Sequence, residues 1–192
     1  TEIDALLDGI DEGATRTAGI VSSLKTFSRL DEEDFKDTNI EEGIDSTLAI
    51  LNSKISGQIE LVKEYAGLPL VYCNSGKMNQ VFMNLLSNAI FAINENRSQG
   101  HIDHGLLTVR TRESKSSYMI EIEDNGIGMS DEVQQKIFEP FFTTKEVGEG
   151  TGLGLSIVYT ILQEHQAKMT VVSEEKKGSR FKLSLPKDLE SM

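Results

Sequence analysis

Between Gln80 and Ile93 the sequence runs QVFMNLLSNAIFAI, and its apolar side chains would cover almost the whole circumference of a helix. A helix that is apolar on every side must be buried, so the rest of the chain has to wrap around this one. Three amides interrupt it. Gln80, Asn84 and Asn88 recur every four residues and therefore share one narrow stripe. A buried amide without a partner costs about 1–3 kcal/mol, so the stripe is expected to face a polar cavity, an ion or a ligand. The alternative is a hydrated face that happens to be narrow.

Two further segments carry chemistry. In YMIEIEDNGIGM, a strand over residues 118–123 turns Tyr118, Ile120 and Ile122 to one side, and Asp124 continues on that apolar side. An unpaired carboxylate aimed at a core is costly, whereas one that accepts from a ligand amino group is satisfied and selective. Gly126 and Gly128 then permit a close backbone approach, although DNG alone is also an ordinary turn. In GEGTGLGLSIV, alternating glycines precede a helix, where exposed amides at the positive helix end favour phosphate. No Lys follows Gly154, so this is no Walker loop, and Leu155, Ser156 and Ile157 rule out a dinucleotide fingerprint. By itself the stretch Thr143–Thr151 reads as a solvated loop.

Six of the sixteen glycines fall between Gly126 and Gly154 in a chain of 192 residues with net charge −12. That acidity excludes nucleic acid as the main partner, since such affinity rests on Lys and Arg neutralising phosphates. Cys73 is the lone cysteine, and no apolar run reaches the roughly 18 residues of a membrane span. A cytoplasmic setting follows as the expectation. Beginning at Thr1 with helix-like residues and no secretory signal, the sequence reads as a fragment of something longer.

Ile3, Leu7, Ile10, Ala14, Thr17, Val21 and Leu24 form a heptad seam flanked by Leu6, Ile20 and Phe27. Such a helix packs on a partner helix from elsewhere in the protein, on another subunit, or on its own domain. Eight acidic residues against Lys36 between Asp31 and Asp45 mark a solvated linker, which places a domain boundary near residue 36. Beyond it, the spacing predicts a helix through Ile40, Ile44, Leu48, Leu51 and Ile55, capped by Asn39. Strands are expected at 59–65, 70–73, 106–111, 118–123, 168–173 and 179–185, with helices at 75–96 and 152–165. The class is α+β, with helices on one face of a sheet whose neighbouring strands run mostly antiparallel.

In order and content, NQVFMNLLSNAIFAI, DNGIGM, IFEPFFTTK and GEGTGLGLSIV resemble the four boxes of the catalytic and ATP-binding domain of two-component sensor histidine kinases. That domain belongs to the ATPase superfamily that includes gyrase and the heat-shock chaperones. The resemblance spans residues 36–187 and ends in GSRFKLSLP, while RTAGIVSSLKTFSR resembles the second helix of the dimerisation and histidine-phosphotransfer bundle. It implies the Bergerat fold, a two-layer α/β sandwich with a mixed, mostly antiparallel sheet, over 36–192. Residues 1–35 would be part of that bundle and its linker, with a homodimer through the opening helix and a response regulator receiver domain as partner.

The resemblance also assigns roles. Asn88 would coordinate Mg²⁺, and Asn84 would line the same cavity and orient water or phosphate. Asp124 would accept from the adenine amino group of ATP, with Gly126, Gly128 and Met129 bordering the base and Ser179 standing where the family usually has Thr. Phe138, Phe141 and Phe142 would anchor a short lid over Thr143–Thr151, as in the nitrogen-regulator type. Thr151, Gly152, Leu153 and Gly154 would contact phosphates, and Thr143, Thr144 and Leu155 complete the nucleotide-binding set. Lys145 is the lid's one cation, and Phe91 stands where many long-lid relatives carry Lys or Arg. Lys145 would therefore share phosphate neutralisation with Mg²⁺ and the backbone amides, or else be a solvated lid charge.

No histidine stands on the opening helix. His101 and His104 read as exposed loop residues, and His165 as a group that satisfies the carbonyls ending its helix. The phosphoacceptor His is thus expected outside this chain. Two other readings remain, a nucleotide-sensing pseudokinase scaffold and an ATP-hydrolysing clamp. The clamp would need a Glu general base where this chain has Asn84.

Overall fold

The computed structural model describes residues 35–55, 57–145 and 150–188. The heptad seam of residues 3–27 and the loop centre at 146–149 lie outside the described residues. The described chain forms β1 (Lys36–Thr38), α1 (Ile40–Leu51), β2 (Ile59–Glu64), β3 (Val71–Cys73), α2 (Ser75–Ser98), β4 (Gly105–Glu113), β5 (Ser117–Asp124), α3 (Asp131–Lys136), α4 (Gly154–Glu164), β6 (Lys168–Glu174) and β7 (Gly178–Pro186).

Five strands make the main sheet in the order β2-β4-β5-β7-β6. Short turns join β4 to β5 and β6 to β7, and these pairs are antiparallel. β2 is different. The long helix α2 lies between it and β4 and carries the chain back along the sheet, so β2 pairs parallel to β4.

Alternation along the strands sorts the two faces of the sheet. Leu107, Val109, Ile120, Ile122, Leu183 and Leu185 are buried, and they meet α2, whose Val81, Phe82, Leu85, Leu86, Ile90 and Ile93 are also buried. α1 and α4 flank α2 and add Ile44, Leu48, Val158, Ile161 and Leu162 to the same core. The opposite sheet face carries charge. Arg110 pairs with Glu64 and Glu121, each at 2.9 Å, and with Glu123, which also binds Arg180. Pairs still partly open to solvent contribute about 0–1 kcal/mol each, so the sheet is held by its apolar face.

Caps define the helix starts. Asn39 accepts from Glu42 N at 3.2 Å, and Asn74 from Lys77 N at 2.9 Å. Two elements are additions to the sequence expectation. Lys36–Thr38, within the segment read as a solvated linker, pairs with β3 in a separate two-stranded sheet. The Phe35 ring next to it lies 4.8 Å from the ring of His165, an anchor that an acidic composition hides. α3 has no buried residue and hence no apolar period to read. Among the described residues no helix is long and apolar enough to cross a membrane.

Candidate functional site

The four segments singled out in the sequence converge on one cavity of about 310 Å³. α2 supplies Asn84, Asn88 and Phe91 to its wall, β5 ends on it with Asp124, and β7 contributes Ser179. Gly128 and Met129 come from the turn after β5, Phe142, Thr143, Thr144 and Lys145 from the segment after α3, and Thr151, Gly152, Gly154 and Leu155 from the start of α4.

At one end stands the carboxylate. Asp124 is only 5% exposed, and its Oδ1 accepts from Gly126 N at 2.8 Å. Burial pushes its pKa up to about 7, although amide hydrogen bonds from Gly126 and Ser179 favour the charged form. A buried acceptor of this kind fits a ligand N–H donor. The turn around it requires glycine. Gly128 has φ +68°, and a Cβ there would lie 1.9 Å from Glu174 O.

At the other end α4 begins at Gly154 without a side-chain cap, so its first amides have no side-chain acceptor. A Cβ on Gly154 would sit 3.0 Å from Asn84 Oδ1, so glycine lets the positive helix end approach Asn84 closely. Lys145 Nζ donates to Asn88 Oδ1 at 3.1 Å and lies 4.2 Å from the Phe91 ring centroid. The Asn88 carboxamide oxygen thus already faces a cation. Uncapped amides, an ammonium and a carboxamide oxygen together suit a phosphate chain with its metal.

Most predicted residues line this cavity, and the exceptions are instructive. Gln80 does not reach it. Four residues advance a helix by about 400°, so a four-residue stripe drifts by about 40° per step and turns Gln80 away from Asn88. Its Oε1 is the one buried side-chain atom without a hydrogen-bond partner among the described residues. Gly126 and Leu153 are absent from the wall as well. A Cβ on Gly126 would lie 2.5 Å from Ala92 C, so that glycine packs the turn on α2, while Leu153 is the N-cap of α4.

Of the three expected lid anchors, Phe138 and Phe142 pack on the core, but the Phe141 side chain is exposed. Phe141 holds φ +69°, and its N–H donates to Gly152 O at 2.9 Å, so its backbone rather than its ring joins the two loop ends. His101 and His104 are exposed. His165 Nδ1 contacts Ile161 O at 2.8 Å as expected for a helix end, and its Nε2 accepts from Asn74 N at 3.1 Å. That fixes a neutral tautomer, and burial lowers the pKa.

Asn96 was not singled out in the sequence. Fully buried, it donates through Nδ2 to Asn125 O and Gly126 O, both at 3.0 Å, and ties the DNG turn to α2. The signal was present, since Asn96 lies on the same four-residue series two steps beyond Asn88.

A family model described as "histidine kinase-, DNA gyrase B-, and HSP90-like ATPase" matches residues 73–189. The chain belongs to this ATPase family. It is 34% identical over 157 residues to sporulation kinase E of Bacillus subtilis (79% of this chain, 20% of that one). It is 36% identical over 203 residues to the sensor kinase CckA of Brucella abortus (94% of this chain, 20% of that one). The chain therefore spans about a fifth of the length of these relatives. Among solved structures it is similar to the histidine kinase ThkA in complex with the response regulator protein TrrA, with a TM-score of 0.71 and 27% identity, covering 94% of this chain and 50% of that one.

Proposed function

We propose that this chain is the ATP-binding catalytic part of a sensor histidine kinase, which transfers the γ-phosphoryl group of ATP to a His outside the chain. One observation carries the reading. A buried acceptor, Asp124, and the uncapped start of α4 lie at opposite ends of one cavity, with Asn84 and Asn88 on the helix that connects them. That geometry suits adenine at the Asp124 end and the phosphates beside Gly152 and Gly154.

In this reading Asn84 orients the γ-phosphate, while Lys145 and the α4 amides stabilise charge on the transferring group. The bond from the γ-phosphorus to its bridging oxygen breaks, a bond to an imidazole nitrogen forms, and ADP leaves. Asn88 would hold Mg²⁺, which would supply charge neutralisation for the phosphates. The Asn88 carboxamide oxygen, which already accepts from a cation, is a hard donor of the kind Mg²⁺ takes. Asn84 cannot take a proton from water, which favours transfer over hydrolysis.

The domain would run over 36–192, with residues 1–35 as part of a dimerisation helix and linker. A cytoplasmic homodimer and a response regulator receiver domain complete the proposal, the latter supported by the ThkA complex. The test is γ-labelled ATP with a separately supplied helical segment bearing an acceptor His. Label on that His is the expected result. Binding without transfer would mark a nucleotide-sensing scaffold, and rapid release of free phosphate would mark an ATP-hydrolysing clamp.

A further inference from the structure

The β6–β7 hairpin forms the back of the Asp124 end, and its hydroxyl protons can be assigned one by one. Ser173 and Ser179 face each other across the hairpin. The Ser173 hydroxyl lies 3.0 Å from Gly178 O and 2.9 Å from Ser179 Oγ. A carbonyl oxygen only accepts, so the single Ser173 proton goes to Gly178 O. Between the two hydroxyls Ser179 must then donate and Ser173 accept. Ser179 lines the cavity and Ser173 does not. With its one proton held toward Ser173, Ser179 offers the cavity lone pairs only.

We propose that Ser173 is a positioning residue for base selection: by holding the Ser179 proton away from the cavity it keeps the floor beside Asp124 acceptor-only, which admits a 6-amino purine and disfavours a 6-oxo purine. The inference rests on the adenine reading above and adds to it a residue that never touches the base. At the 6-position an oxo group presents a lone pair to a floor that itself presents only acceptors, whereas an amino group presents there the N–H that such a floor receives. The hairpin is held in place for this task. Gln134 Nε2 donates to Ser173 O and Met129 O, both at 3.1 Å, and Lys176 N donates to Ile127 O at 2.6 Å. Both contacts lock the hairpin to the turn that follows Asp124.

The experiment measures calorimetric affinities of the chain for ATP and for inosine triphosphate, each with Mg²⁺, in wild type, Ser173→Thr and Ser173→Val. Thr keeps the hydroxyl and Val removes it at equal shape, and both suit a strand. The wild type should prefer ATP. Ser173→Thr should preserve that ratio, and Ser173→Val should lower it about tenfold, chiefly through better binding of inosine triphosphate as Ser179 becomes free to donate. In Ser179→Ala the Ser173→Val change should have no further effect on the ratio.

An unchanged ratio in Ser173→Val, or equal weakening of both nucleotides, overturns the proposal and leaves Ser173 a structural residue. A wild type that binds both equally removes the adenine reading itself, and the inference falls with it. Thermal unfolding of each variant is recorded first, and Ser173→Ala carries the same deletion if Val fails to fold.

Discussion

Lys145 and Asn88 lie 57 positions apart in sequence, yet the ammonium of one donates to the carboxamide oxygen of the other at 3.1 Å while resting over the Phe91 ring. The segment after α3 thus delivers a cation to the wall of the cavity that α2 forms. Phe91 is its seat rather than a gap in the site.

Lys145→Met should therefore weaken ATP about tenfold and leave adenosine almost unaffected, because the lost interaction is with phosphate charge. Parallel titrations of the two ligands check this. Equal losses for both would show that Lys145 acts by packing.

Asp124→Asn should abolish detectable ATP binding yet leave a folded domain. The pH dependence gives a second readout. The carboxyl sits at about 7 in the fold, above its ordinary 3.8, so its contribution to stability is fully present below about pH 3.8 and is lost as pH rises through 7. At pH 8 the Asn variant should be more stable than wild type, on the order of 2 kcal/mol, in urea unfolding. ATP affinity of the wild type should fall as pH drops below 7, since a protonated carboxyl gives up part of its accepting capacity. A flat affinity profile between pH 5.5 and 8 would argue against Asp124 as the acceptor.

Asn88→Ala should lower Mg²⁺-dependent turnover by about 10²-fold or more while shifting the unfolding midpoint by only a few degrees. A collapse of stability without nucleotide would instead identify Asn88 as a framework residue.

Gly128→Ala tests the turn that supports the base end. Positive φ and a Cβ 1.9 Å from Glu174 O make a loss of about 2–4 kcal/mol the expected result in denaturant titration. A near-neutral change would mean that the β6–β7 hairpin yields readily.

Gln80→Met removes the buried oxygen that lacks a partner, at similar side-chain volume. It should stabilise the fold by about 1 kcal/mol with unchanged ATP affinity. Impaired binding would bring Gln80 back into the site from which helix geometry excludes it.

Much of this was legible in the sequence because the site lies on regular elements. Alternation fixed the side of β5 on which Asp124 emerges, and the glycines marked where backbone comes close. Other features were hidden for identifiable reasons. The parallel pairing of β2 depends on where α2 returns the chain, and β1 exists only through its partner β3. α3 offers a single apolar residue, Val133, which is only partly buried. The stripe through Gln80, Asn84 and Asn88 looked uniform because four residues were treated as one full turn; the accumulated rotation separates Gln80 from the cavity and brings Asn96 to the DNG turn. Proton directions at Ser173 and Ser179 depend on a carbonyl across the hairpin, and no one-dimensional pattern records them.

Asn96 has a consequence for how the cavity keeps its dimensions. The same rigid rod that presents Asn88 at one end holds the DNG turn through Asn96 at the other, eight residues or about 12 Å along its axis. The separation between the two ends is thus a length standard written into helix rise, independent of the loops that cover them. A substitution at Lys145 would therefore leave unaltered the span that the cavity offers a ligand.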